Sequence, residues 1–285
     1  MLCCELSLPK PFGWRIKAIG DCTKLLDGLQ NIMQLTQCSE EDAQLIVMPR
    51  SHFQTHYEDE CSDWEIFYSR KAIRILNNDK LSQWLMVLPE HILSDHDLRI
   101  VLMWLMLKPF YRHCLMHGGL PVHASSAHMN QSGIIIASSG DTGKTTTVRR
   151  LPKPWLELAD DVALLLPNGD EVNLYSLPTW SEFIHGRDKN ATWDVKNGVK
   201  LSGIFFLEQS TEDHAERISV PLSMMSLYKS SMEAIGDVEE DISTNVKTNI
   251  FEIASNISAK VPSFLLRATL TGKVWESIES ALCEI

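Results

Sequence analysis

The chain has 285 residues, 44% of them hydrophobic and 22% charged, with 37 acidic against 26 basic side chains and a formal net charge of -11. That length suits one large domain or two modest ones with an ordinary apolar core. The acidity and the lack of any Lys/Arg run speak against nucleic acid or an anionic membrane as the main partner, while a basic peptide meets no such objection.

Seven cysteines, Cys3, Cys4, Cys22, Cys38, Cys61, Cys114 and Cys283, stand at irregular spacings with no C-x-x-C. This pattern predicts reduced thiols and a cytoplasmic protein, not a disulfide framework or a zinc site. Met1 to Pro9 lacks the basic-then-apolar order of a secretory signal. The most apolar stretch, Ile100 to Leu107, is bounded by Arg99 and Lys108 and is too short to span a bilayer.

The first hundred residues read as an α+β unit. Leu25, Leu26, Leu29, Ile32 and Met33 recur at helical spacing, so a helix is predicted over Thr23 to Leu35 with Thr23 as its cap. Gln44 to Met48 reads as a strand ended by Pro49. Glu65 to Tyr68 and Ala72 to Leu76 read as two more, with Ser69-Arg70-Lys71 as the turn. Between them, Ser51 to Asp63 is polar and reads as a solvated loop. Its His52, His56, Glu58, Asp59 and Glu60 make a poor metal cluster.

A helix is predicted from Ser94, with Asp95 and Asp97 near its positive end. Its apolar run reaches Leu107, Pro109 kinks or ends it, and Phe110 to His117 continue it. The expected organisation is therefore an N-terminal α+β unit over 1–93, a connecting helix over 94–117 and a second domain over 118–285.

From Gly118 the pattern changes. Leu120 to Ala127 reads as a strand, Asn130 to Gly133 as a turn, and Gly133 to Ser138 as a returning strand. Then follows Ser138-Ser139-Gly140-Asp141-Thr142-Gly143-Lys144-Thr145-Thr146, with a helix predicted from Lys144 to Arg150. A buried strand, a tight loop and a helix start form the context of a phosphate-binding loop, whose backbone N–H groups cradle phosphate oxygens. In such a loop Lys144 reaches the β- and γ-phosphates and the Thr145 hydroxyl serves Mg²⁺. Ser138 stands where G-x-x-x-x-G-K-[ST] has its first glycine; Gly140 supplies backbone freedom from inside the loop.

After this helix, Leu156 to Ala159 leads into Asp160-Asp161, and Val162 to Leu166 is a strand. Pro167-Asn168-Gly169-Asp170 is a turn, and Glu171 to Tyr175 pairs back. Val199 to Leu207 is another core strand. The remainder from Ser223 is largely helical, apart from a strand at Ser263 to Arg267. Trp180 and Trp193 flank a polar stretch with His185, Gly186, Arg187 and Lys189, which suits either a substrate-side loop or a plain surface loop.

Phosphoryl transfer needs a phosphate cradle, Mg²⁺ and an acceptor for the hydroxyl proton. Asp160-Asp161 is the available carboxylate pair: one to hold Mg²⁺, the other to take the proton. Alone, it would read as a solvated turn. His123 fits either a phosphate-side role or a satisfied structural position.

Val122-His123-Ala124-Ser125, Gly133 to Ile136 with Gly143-Lys144-Thr145, and Ala159-Asp160-Asp161-Val162 together resemble the HPr kinase/phosphorylase-like family. Leu177 to Ser181, Trp193-Asp194-Val195 and Gly203 to Gln209 resemble its branch in peptide-modification cassettes, the SynChlorMet ScmC type. The resemblance implies an α/β fold: a PEP carboxykinase/HPr kinase-like P-loop domain with a mixed sheet, beside the small N-terminal α+β unit. It also implies an ATP-dependent kinase acting on a Ser or Thr hydroxyl of a peptide or small protein. Ser138 to Thr146 would bind ATP. Thr145 and Asp161 would serve Mg²⁺, with Glu182 as a further carboxylate by approximate spacing. Asp160 would accept the proton, oriented by His123, with Lys144 on the transferring phosphate. Ser138 and Asp141 depart from the family's loop glycines. That departure keeps two alternatives open: an ATP-binding accessory or peptide-recognition protein, and a small-molecule kinase of the free-serine type. By analogy, the N-terminal unit would present substrate or assemble a homo-oligomer.

Overall fold

The computed structural model describes residues 1–33, 35–39, 43–90, 92–94, 96–138, 142–177, 194–236 and 243–284. Its described residues fall into two compact units, the first within Met1–His113 and the second from Cys114 onward.

The first unit carries β1 (Leu2–Leu6), β2 (Trp14–Ala18), α1 (Thr23–Met33), β3 (Thr36–Gln37), β4 (Leu45–Pro49), α2 (Arg50–His56), β5 (Glu65–Arg70), β6 (Ile73–Asn78) and β7 (Gln83–Leu88). Helix α3 (His96–Met116) begins here, and its residues from Cys114 belong to the second unit. The strands form one mixed sheet in the order β3-β1-β2-β4-β7-β6-β5, with β2, β4 and β7 parallel to their neighbours in that trio. Leu45 to Met48 are all buried, as suits a central strand covered on both faces. Helix α1 buries the apolar stripe that the sequence displays, and Gly28 lets α3 approach: a Cβ there would lie 2.9 Å from the Met103 sulfur.

Three local expectations are corrected. Thr23 is the first helical residue and not a cap; its hydroxyl donates to the Gly20 carbonyl at 3.0 Å. The polar segment after Pro49 opens as helix α2 instead of a loop. Its single buried anchor is Phe53, and Glu90 accepts the Ser51 N–H at 2.7 Å, satisfying one open donor of the first turn. The β5–β6 turn falls at Lys71-Ala72, one residue later than expected. Their φ values of 48° and 64° suit a tight two-residue hairpin. Pro109 lies inside α3, which runs through it. Among the described residues no group of three or more His, Cys, Asp or Glu could hold a metal, and no helix is long and apolar enough to cross a membrane.

The second unit contains β8 (Leu120–Met129), β9 (Ser132–Ala137), α4 (Lys144–Arg149), β10 (Leu156–Ala159), β11 (Val162–Asn168), β12 (Glu171–Ser176), β13 (Val199–Gln209), β14 (His214–Arg217), α5 (Val220–Gly236), α6 (Thr244–Lys260), β15 (Ser263–Ala268) and α7 (Val274–Cys283). Its mixed sheet runs β10-β8-β11-β12-β13-β15-β14, with β9 between β8 and β13. Alternation along the strands builds two cores. On one face, Val122, Ala124, Ile135, Ala137, Ile204 and Phe206 pack with Leu227 of α5 and Ile250 of α6. On the other, Ala127, Ile134, Ile136, Phe205 and Leu266 pack with Val148 of α4 and Ile278 of α7. Adjacent residues therefore serve opposite layers, as strand geometry requires.

Strands β8, β11, β12, β13 and β9 pair in a closed cycle, which fixes the ends of β8 and β9 relative to each other. Closure is tight at Gly133, where a Cβ would meet Val199 at 2.6 Å and Leu174 at 2.9 Å. Gly133→Ala is accordingly expected to lower the stability of the second unit by about 1–3 kcal/mol through overpacking. Urea unfolding should show an earlier midpoint for this variant; an unchanged midpoint would mean the cycle is looser than described.

Candidate functional site

Strand β9 delivers the chain from a fully buried Ala137 to Ser138, where pairing stops. Residues Ser139, Gly140 and Asp141 lie outside the described residues. The loop resumes at Thr142, whose hydroxyl is bonded to that of Ser138. Gly143 has φ +95°, a left-handed conformation that glycine adopts without strain, and a Cβ built on it would meet nothing within 4 Å among the described residues. Helix α4 follows at once. Its first residue, Lys144, is only 7% exposed, and its Nζ donates to the Ser138 carbonyl at 3.3 Å. Burying an ammonium is costly unless polar partners receive it, and the Ser138 carbonyl is one such partner.

Strands β10 and β11 lie along the same side of β8 in one register, Ala159 opposite Ser126 and Val162 opposite His123. Asp160-Asp161 is the joint between them, and the Asp161 carbonyl still accepts the Ala124 N–H at 2.8 Å. The Asp160 carbonyl has a different use. It accepts from the Thr145 hydroxyl at 2.9 Å and also from the hydroxyl of Ser125, which is fully buried on β8. The two hydroxyl oxygens lie 3.2 Å apart. The loop, the aspartate joint and β8 thus meet at one backbone oxygen.

The two aspartates have unlike surroundings. Asp160 is 2% exposed, whereas the Asp161 side chain is half-exposed and its Oδ1 lies 2.9 Å from His123 Nε2. The other ring nitrogen, Nδ1, lies 3.1 Å from Glu233 Oε2 on α5. Ser230, one helical turn earlier, donates its hydroxyl to the His123 carbonyl at 2.8 Å. With a carboxylate at each nitrogen, the imidazole is favoured in its charged form. The bond to Asp161 raises the His123 pKa above its ordinary value most strongly, helped by the Asp161 charge and the Glu233 bond. Burial and the nearby Lys144 ammonium work against it without cancelling the rise.

Residues 88–283 match the family model described as SynChlorMet cassette protein ScmC. The chain belongs to the ScmC family. Among solved structures, the Hpr(Ser) kinase/phosphatase from Coxiella burnetii is similar at 11% identity and a TM-score of 0.30, over 57% of this chain and 93% of that one. No curated protein matches.

In this ScmC-family chain the expected site residues divide in three. Ser138, Thr142, Gly143, Lys144 and Thr145 gather with Asp160 around the end of β9, and Thr146 is exposed on the first turn of α4. His123 joins Asp161, so the orienting contact expected toward Asp160 runs to its neighbour. Ser139, Gly140, Asp141 and Glu182 lie outside the described residues, as does the stretch between Trp180 and Trp193. The sequence assigns no function to Glu233, and Ser125 enters there only as part of the motif around His123. Glu233 is 110 residues from the histidine it meets, on a helix whose pattern displays only its buried stripe.

A raised folded-state pKa stabilises the fold while the histidine is protonated. The contribution is complete below the unfolded value of about 6.5 and is lost as pH rises through the folded value. In nucleotide-free, metal-free protein, His123→Asn should therefore lose most stability relative to the parent at pH 5–6, with the gap narrowing toward pH 8. Thermal melts across that range read this directly, and a gap that widened with pH would contradict the bridge.

Proposed function

We propose that the chain is an ATP-dependent kinase that transfers the γ-phosphoryl group to a Ser or Thr hydroxyl of a peptide or small protein. One observation carries this reading: the hydrogen bond from Thr145 to the Asp160 carbonyl, which joins the phosphate-loop motif to the carboxylate pair. Nucleotide binding is supported by the left-handed Gly143 and by the buried, carbonyl-anchored Lys144. A peptide as acceptor is what the resemblance to peptide-modification cassettes implies.

In the proposed reaction the acceptor oxygen attacks the γ-phosphorus of ATP. A new P–O bond forms, the bond to the β-phosphate oxygen breaks, and ADP leaves with that electron pair. Asp160 takes the hydroxyl proton. Lys144 and the loop amides hold the triphosphate and offset the charge that grows on it. Thr145 and Asp161 are the described residues that would hold Mg²⁺, which would supply further charge neutralisation. His123 already has both nitrogens engaged, so its assigned part is to orient Asp161 and not to take the proton.

Two variants separate binding from transfer. Lys144→Ala should weaken ATP binding and cut phosphoryl transfer by about a hundredfold or more. Asp160→Asn should keep ATP affinity within a few-fold of the parent while transfer falls by about 10²–10⁴-fold. Titration calorimetry with Mg·ATP and radiolabel transfer to a Ser/Thr peptide library provide both readouts. ATP affinity indifferent to Lys144 would reject the nucleotide site; transfer surviving Asp160→Asn would reject the assigned base.

A further inference from the structure

Helix α5 presents Ser226, Lys229, Ser230 and Glu233, at spacings of three, four and seven residues, to a cavity of about 150 Å³. The remaining walls are Ala137 and Ser138, where β9 becomes the phosphate loop, and Phe206 of β13. The cavity is therefore lined both by the residue that opens the loop, Ser138, and by Glu233 and Ser230, which bond to His123. Its volume is well under the roughly 300–1,000 Å³ of ordinary small-molecule sites and suits one side chain of a larger ligand. Ala137 and Phe206 give it an apolar floor for a methylene or methyl group, and the serines give it polar sides.

The charges decide what should lie beside that side chain. Glu233 is engaged by His123, whose Nδ1 lies 3.1 Å from its Oε2. Lys229 is exposed and has neither a hydrogen-bond nor an ion-pair partner among the described residues. Lys229 is the basic side chain among the residues that line this cavity. A ligand that brings its own carboxylate satisfies it.

We propose that this cavity is the acceptor subsite. It takes the Ser or Thr side chain of a peptide whose neighbouring residue is acidic, and Lys229 pairs with that neighbour's carboxylate. The assignment rests on the kinase reading above and specifies its substrate. It also runs against the overall field of the protein: with a net charge of -11, non-specific attraction favours basic peptides. A preference for acidic neighbours therefore has to come from a local cation.

The test uses the full chain and two fluorescein-labelled peptides, identical except that the residue beside the serine is Asp in one and Lys in the other. Fluorescence anisotropy should give at least tenfold tighter binding of the Asp peptide by the parent protein. Lys229→Glu should reverse that order, and Lys229→Arg should keep it. Equal binding of the two peptides, binding of neither, or an order unaffected by residue 229 would overturn the proposal. Mg·ATP titration of the same proteins tells the two anions apart. Unchanged ATP affinity in Lys229→Glu supports the acceptor assignment, whereas a tenfold loss would give Lys229 to the nucleotide and overturn it. Failure of the kinase reading has a separate signature: no ATP binding by the parent, whatever the peptides do.

Discussion

One backbone oxygen, the carbonyl of Asp160, fixes the geometry on which the site depends. It accepts hydroxyl hydrogens from Thr145, at the start of α4, and from Ser125, in the middle of β8. Each such bond contributes only about 0.5–1.5 kcal/mol net, far less than the two apolar cores flanking the sheet. Its value is positional. An α4 displaced from β8 would lose the Thr145 bond, at a cost of about 0.5–1.5 kcal/mol, while Ser125 on β8 kept its own. The closed cycle of strands supplies the rigidity that makes this contact meaningful, because β8 pairs with β9 on one side and with β10 and β11 on the other.

Around that oxygen the charges are arranged against the character of the whole chain. Asp160, Asp161 and Glu233 bring three carboxylates close to a site that has to receive phosphate. Lys144 is buried beside the loop carbonyls, His123 sits between two of the carboxylates, and Lys229 lines the adjoining cavity. Their surroundings differ: Lys144 bonds to the Ser138 carbonyl, His123 to two carboxylates, and Lys229 has no partner among the described residues. Local placement, not net charge, makes this corner of an acidic protein suitable for anions.

Much of this was legible in the sequence because it is local. The run from Gly133 to Thr145 displays strand, loop and helix start in succession, and Asp160-Asp161 sits between two apolar strand segments. The hairpins β8–β9 and β11–β12 were marked by Asn130 and Gly169, both at positive φ. What escaped the reading depended on distance or on weak pattern. Glu233 meets His123 across 110 residues, and a helix shows in sequence which residues it buries, not which exposed carboxylate it aims at a partner. Segment Arg50–His56 looked like a loop because only Phe53 is buried; its helix is supported by the remote Glu90 carboxylate. Strands β1 and β2 are short and carry Glu5, Arg15 and Lys17 between their buried residues, so their half-buried alternation is a weak signal in the sequence.

The account's central claim is that the phosphate loop and the aspartate joint serve one triphosphate. A crystal structure of the full chain with Mg²⁺ and a non-hydrolysable ATP analogue tests it most directly. The account predicts the γ-phosphate beside the Lys144 ammonium, with Asp160 or Asp161 facing it across the metal and α4 still bonded to the Asp160 carbonyl through Thr145. A nucleotide bound elsewhere, or held at Lys144 with both aspartates turned away from its terminal phosphate, would contradict it.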